Sequence, residues 1–297
     1  VTQPDAQKPF GERARAGVSQ HGPLCVGIDP HAGLLAAWGL SDDASGARSF
    51  GLRVVEAAAG RVAFVKPQVS FFERHGSRGI QALEDVLAAA RAAGVMTIAD
   101  AKRGDIGSSM DAYAEAWLTP GSPLEADALT ISPYLGVGAL AGTIDLAYRH
   151  GKGVFVLAAT SNPEATGLQR STAKSETVSA QVIAEVSERN AARTAAGSWG
   201  SAGFVIGATV DWTRAGIAPF VPLAPILAPG FGHQGAEPAD LPRVFGEMAP
   251  AVIASESRSI LSAGSDKIDD VIAERSAQYT EAHPTGGENI QELLKDD

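Results

Sequence analysis

Short apolar runs of four to six residues recur along the chain, separated by longer segments in which apolar positions repeat at three- and four-residue intervals. The runs read as strands are Leu24–Ile28, Ala63–Lys66, Val95–Ala99, Ala128–Ser132, Gly153–Ala158, Gly203–Gly207, Pro225–Ala228 and Ala251–Ala254. They lack polar/apolar alternation, which is the pattern of strands buried on both faces of a parallel sheet. Between them, Ile80–Ala93 places Leu83, Val86, Leu87 and Ala90 on one helical face, and Ser175–Ala195 and Ile260–Tyr279 read the same way. Eight strands alternating with helices predict a single-domain α/β protein, a (β/α)8 TIM barrel. A doubly wound open sheet has a similar rhythm and stays open as the alternative. The barrel domain is expected over residues 1–280, with 281–297 a polar C-terminal tail, mobile or loosely docked.

Composition narrows the function classes. The 297 residues are 45 % hydrophobic and 20 % charged, as in an ordinary globular protein, with net charge −10. That balance makes a nucleic-acid polymer a poor partner but permits a small anionic substrate where cations are gathered locally. Nothing is apolar for long enough to span a membrane, and the stretch Val1–Gly17 is polar without an apolar leader, so a cytoplasmic location is expected. Cys25 is the single cysteine and reads as a small buried hydrophobe. The histidines show no close metal-ligand spacing, and no metal or cofactor is expected.

In a barrel, active groups collect where strands end. Polar residues do accumulate there: Asp29-Pro30, Lys66-Pro67-Gln68, Asp100-Ala101-Lys102-Arg103-Gly104-Asp105, Ser132-Pro133-Tyr134, Thr160-Ser161-Asn162 and Ser255-Glu256-Ser257-Arg258. The densest is Asp100-x-Lys102-x-x-Asp105. Positions 100 and 102 share a side of an extended strand, and two carboxylates beside an ammonium keep it charged and aimed. Such a lysine is a proton donor rather than a Schiff-base nucleophile. Alternatively, Asp105 merely caps the following helix. After the seventh strand, the glycine-rich Pro229–Gly235 offers backbone N–H groups to an anion, and Arg258 follows the eighth strand. His233 reads as a bystander in that loop. Trp38, Trp117, Trp199, Trp212 and Phe71-Phe72 read as packing.

These stretches, together with Gly27-Ile28-Asp29-Pro30, Val65-Lys66-Pro67-Gln68, Ser132-Pro133-Tyr134-Leu135-Gly136 and Ala159-Thr160-Ser161-Asn162-Pro163, resemble the orotidine 5'-phosphate decarboxylase family. Specifically, they resemble its longer subgroup of mycobacteria and related bacteria. The matches run in family order from about residue 24 to 262. The resemblance implies a cofactor-free decarboxylation of orotidine 5'-phosphate to uridine 5'-phosphate and carbon dioxide. Lys102 would protonate C6, with Lys66, Asp100 and Asp105 completing a charged tetrad. It implies a homodimer in which Asp105 and Ile106 enter the neighbouring site. Asp29 and Lys66 would hold ribose hydroxyls, and Ser161 the pyrimidine amide. Gln234, Arg258 and loop backbone near Gly232 and Gly235, with Pro229 and Ser257 alongside, would surround the phosphate. Ser109 stands where many relatives carry threonine and keeps the hydroxyl. Phe231 and His233 are bulkier than the family pattern, which bears on closure of the loop around Phe231–Asp240. The rival readings are a magnesium-dependent barrel enzyme acting on sugar phosphates, and a catalytically silent nucleotide-binding protein.

Overall fold

The computed structural model describes residues 8–173 and 175–283. Eight parallel strands close into a barrel: β1 (Leu24–Ile28), β2 (Phe64–Pro67), β3 (Met96–Arg103), β4 (Ala128–Ile131), β5 (Gly153–Ala159), β6 (Ala202–Ile206), β7 (Ile226–Pro229) and β8 (Val252–Glu256). Each strand of the barrel pairs with its neighbours in chain order, and β8 pairs with β1, so the barrel itself has no open edge. The predicted strands are all present, most shifted by one or two residues. The largest difference is β3, which runs four residues past its predicted end at Ala99, through the Asp-x-Lys segment.

The absence of alternation has the expected cause. Cys25, Phe64, Ile98, Ala128, Phe155, Val205, Leu227 and Ile253, one from each strand, fill the barrel interior. Val26, Val65, Ala99, Leu129, Val156, Phe204, Ile226 and Val252 point outward into a second core under the helices. Long helices cover the first five strands: Ala44–Ala58, Gly76–Ala92, Gly107–Leu118, Ala141–Arg149 and Val178–Ala191. The last of these is shorter than the predicted Ser175–Ala195, because Thr177 accepts the Ala180 N–H at 3.1 Å and caps the helix there. Beyond β6 the covering is thinner. The β6–β7 crossover carries the four-residue helix Trp212–Ala215, and β7–β8 is bridged by short turns and the five-residue helix Leu241–Phe245.

One further expectation needs correction. The predicted helix Ile260–Tyr279 is two helices, Arg258–Leu261 and Ile268–Ala282, because Gly264 adopts φ +85° and ends the first. The second helix runs to Ala282; residues 284–297 of the expected tail lie outside the described residues. The polar N-terminal stretch also proves structural. From Phe10 to His21 it forms a helix, α1, whose Phe10, Ala14 and Val18 plug the N-terminal mouth of the barrel. Phe10 meets Phe155 edge-on, with ring centroids 5.9 Å apart, and a Cβ at Gly153 would collide with the Phe10 ring. Arg13 secures the helix through Asp127 Oδ1 at 2.7 Å and the Gly151 carbonyl at 3.0 Å. No helix among the described residues is long and apolar enough to cross a membrane.

Because Phe10 closes the inner core, Phe10→Ala is expected to cost about 3–5 kcal/mol, as for other buried aromatic truncations. Urea unfolding monitored by circular dichroism measures it; a loss below about 1 kcal/mol would show that α1 does not contribute to barrel stability.

Candidate active site

The C-terminal mouth carries a buried charge cluster built from consecutive strands. Between β3 and β4 the register runs Ala99↔Leu129 and then Arg103↔Ile131, so residues 100–102 of β3 oppose the single residue Thr130. This bulge leaves Asp100 and Lys102 both facing the barrel mouth while Ala101 packs outward. Lys102 consequently sits at φ +48°, a conformation that costs a side-chain-bearing residue roughly 1–2 kcal/mol. Thr130 holds it there: its Oγ1 accepts the Lys102 N–H at 2.9 Å and donates to Asp100 Oδ1 at 3.1 Å.

Asp100 bridges two ammonium groups. Its Oδ2 accepts from Lys66 Nζ at 3.0 Å and its Oδ1 from Lys102 Nζ at 2.5 Å. Burial alone would raise the Asp100 pKa, but Lys66 and Lys102 outweigh it and hold the carboxyl at about 2. For Lys66, burial favours the neutral amine, and the charges of Asp100 and Asp29 overcome it, holding its pKa above the usual lysine range. Cys25, in the core below, is protonated, its thiol pushed up to about 12 mainly by burial. At the end of β1, Asp29 Oδ2 accepts from Ser257 Oγ at 2.6 Å. Asp29 Oδ1 is buried without a hydrogen-bond partner among the described residues, a donor-seeking atom at the edge of the cluster.

A cavity of about 270 Å³ opens above these groups. One side is Asp29, Lys66, Asp100 and Lys102; the other is Pro229, Gly230, His233, Gln234, Ser257 and Arg258. Arg258 Nη1 donates to His233 Nε2 at 2.9 Å, which places the proton of a neutral His233 on Nδ1. Gln234 Oε1 accepts from Ser161 Oγ at 3.4 Å. A cavity with fixed charges at one end and a guanidinium at the other suits a polar molecule carrying an anionic group.

Eight of the anticipated residues therefore line one cavity: Asp29, Lys66, Asp100, Lys102, Pro229, Gln234, Ser257 and Arg258. Others stand apart. Asp105 does not join the ammonium of Lys102 within this chain; its Oδ1 accepts the Ile106 N–H at 2.8 Å, because the chain turns away after the bulge. Ile106 is 62 % exposed, and Ser109 lies on the exposed side of helix Gly107–Leu118. The N–H groups of Gly232 and Gly235, expected to face an anion, are used inside the loop, donating to Ala236 O at 2.7 Å and Gly232 O at 2.9 Å. Phe231 is buried against Phe245 and Tyr279 and also lines the cavity. His233, read from the sequence as a bystander, lines the cavity and contacts Arg258. Thr160, noted at the end of the fifth strand, also lines the cavity, and Thr130 was not anticipated. Thr130 sits inside an apolar run, and only the bulge brings it against the backbone of residue 102.

The sequence profile of the Orotidine 5'-phosphate decarboxylase / HUMPS family matches residues 22–269. Orotidine 5'-phosphate decarboxylase of Salinispora arenicola is 54 % identical over 258 residues, 86 % of this chain and 91 % of that one. The Streptomyces coelicolor protein of the same name is 51 % identical over 263 residues, 87 % of this chain and 92 % of its own. A Streptomyces avermitilis crystal structure, provisionally named orotidine 5'-phosphate decarboxylase, superposes with TM-score 0.89 at 46 % identity, over 95 % of this chain and 98 % of that one. The bridged charge cluster, the barrel that carries it and these likenesses agree: the chain belongs to the orotidine 5'-phosphate decarboxylase / HUMPS family.

Proposed function

We propose that the protein decarboxylates orotidine 5'-phosphate to uridine 5'-phosphate, with Lys102 as the proton donor. The observation that carries this reading is the Asp100 carboxylate bridging Lys66 and Lys102 on the floor of a cavity whose opposite wall holds Arg258. Relatives at about half identity bear the decarboxylase name, which favours this activity over the sugar-phosphate reaction of the same family.

The chemistry follows from charge placement. The bond between C6 and the carboxylate carbon breaks, carbon dioxide leaves, and the electron pair stays on C6. A fixed ammonium stabilises that developing charge and then transfers a proton to C6, leaving a neutral amine that water re-protonates. Asp100 keeps the Lys102 amine aimed, and Lys66 keeps Asp100 ionised. Asp29 Oδ1, buried with an open acceptor position, suits a ribose hydroxyl, and Lys66 lies in the same wall. Arg258, His233 and Gln234 are placed for the phosphate, and Ser161, bonded to Gln234, for the pyrimidine amide. The loop N–H groups of Gly232 and Gly235 would have to exchange their internal partners to contribute.

Asp105 and Ile106 fit a role in the partner subunit of a homodimer. Ile106, Tyr113, Tyr134 and Leu135 are exposed apolar residues from the segments after β3 and β4, supporting a face that a second copy covers.

Loss of orotidine 5'-phosphate absorbance in excess EDTA tests the reading in one step. Conversion without divalent metal is expected; activity on sugar phosphates only after magnesium is added would move the assignment to the other branch of the family. Lys102→Ala is expected to lower kcat by at least ~10²–10⁴-fold, and near-normal turnover would remove Lys102 from the central role. Arg258→Ala is expected to raise KM and lower kcat/KM; unchanged values would place the phosphate elsewhere. If Asp105 acts across the dimer, equal mixtures of inactive Asp105→Ala and Lys102→Ala proteins should regain about a quarter of wild-type activity through hybrid dimers with one intact site. Mixtures that exchange subunits but stay inactive would contradict the shared site.

A further inference from the structure

Behind the anion-binding wall lies a second buried ionic cluster that the chemistry above does not use. Glu256, the last residue of β8, has a side chain with no solvent exposure. Its carboxylate accepts from Arg275 Nε at 3.2 and 3.1 Å, Tyr279 Oη at 2.6 Å and Ser259 Oγ at 2.8 Å, and is also paired with Arg275 Nη2. Burial and the Glu256 charge push the Tyr279 hydroxyl far above its usual range, so it remains a donor. Burial opposes the charge on Arg275, but Glu256 overcomes it and holds the guanidinium ionised. A buried carboxylate with this many donors is firmly fixed.

Three independent contacts join this cluster to the loop after β7. At the loop's start, the Phe231 ring stands edge-on to Tyr279, with centroids 5.5 Å apart at 83°. At its end, Glu237 Oε2 accepts from Arg275 Nη1 at 3.3 Å. Between them, Gly232 at φ +65° lies so close to the cluster that a Cβ there would come within 2.5 Å of Ser259 Oγ and 3.2 Å of Glu256 Cδ. The same strand end that carries Glu256 places Ser255, Ser257 and Arg258 on the cavity.

We infer that Glu256, Arg275 and Tyr279, the last two on the C-terminal helix Ile268–Ala282, are positioning residues that hold the β7 loop and Arg258 in their phosphate-binding arrangement. The inference rests on the proposed phosphate site and goes beyond it. A loop already tied at both ends loses little conformational freedom when the anion arrives, so more of the phosphate contact appears as affinity. Helix Ile268–Ala282, none of whose residues lines the cavity, thereby sets how tightly the phosphate is gripped.

The experiment compares uridine 5'-phosphate with uridine, by calorimetric titration, in wild type, Arg275→Gln, Tyr279→Phe and Glu237→Gln. The Arg275→Gln protein should bind the nucleotide about tenfold more weakly, about 1.4 kcal/mol, with uridine affinity changed less than about twofold. Its kcat at saturating substrate should stay within about threefold of wild type while KM rises. Tyr279→Phe keeps the ring on Phe231 but loses the bond to Glu256, and should change in the same direction by a smaller factor. Glu237 is exposed enough that Glu237→Gln leaves the fold intact even if the other two variants do not fold, and about two- to threefold weaker nucleotide binding is expected there. Equal losses for nucleotide and nucleoside, or unchanged nucleotide affinity in folded variants with only a lower Tm, would overturn the inference and leave the cluster as structural glue. Wild-type protein binding uridine 5'-phosphate no more tightly than uridine would overturn the phosphate site itself, and the inference with it.

Discussion

A carboxylate that is almost fully buried needs compensation from its neighbours, and in this protein Asp100 finds it in two ammonium groups at once. Desolvating a carboxylate without a partner would raise its pKa and neutralise it. With Lys66 on one oxygen and Lys102 on the other, the group instead stays ionised and acts as a fixed hub. The barrel makes this arrangement possible because consecutive parallel strands end at one mouth: Asp29 comes from β1, Lys66 from β2, Asp100 and Lys102 from β3, and Thr130 from β4. No single loop has to hold these groups. Their spacing is inherited from the strand register, which the inner layer from Cys25 to Ile253 locks in place.

The two halves of the mouth divide the work. The β1–β4 side balances Asp29 and Asp100 against Lys66 and Lys102 and so presents fixed dipoles rather than a large net charge. The β7–β8 side presents Arg258, with His233 and Gln234 beside it. The segments flanking β7 carry only short helices, and the fifteen-residue helix Ile268–Ala282 supports this side from behind. Glu256 and Arg275 brace the strand end from behind, while Phe231, Phe245 and Tyr279 fill the space beneath the loop.

The sequence made the strands legible because a strand buried on both faces is a short continuous apolar run, and a barrel supplies eight of them. The polar strand ends were legible for the same reason: a charge following such a run has nowhere to go except the mouth. What resisted reading depended on three-dimensional partners. The amphipathic stretch of α1 looked like an ordinary polar terminus because its apolar residues Phe10, Ala14 and Val18 are few and matter only against the barrel floor. Asp105 looked like a neighbour of Lys102 because spacing along an ideal strand takes no account of the bulge that turns the chain away. The glycines at 232 and 235 advertised free N–H groups, yet the same flexibility lets the loop fold onto itself and use them.

Lys102 is where local preference and global fold disagree most openly. Positive φ favours glycine, and a glycine there would relieve the strain, but it would remove the ammonium that Asp100 aims into the cavity. The backbone is held in that conformation by Thr130, a polar side chain buried in a strand for which the hydrophobic core alone has no use. Strain at a charged residue, stabilised by a buried hydroxyl and facing a cavity, is costly in a purely structural design. It is readily understood if the position of that one amine, to a fraction of an ångström, is what the barrel mouth is built to fix.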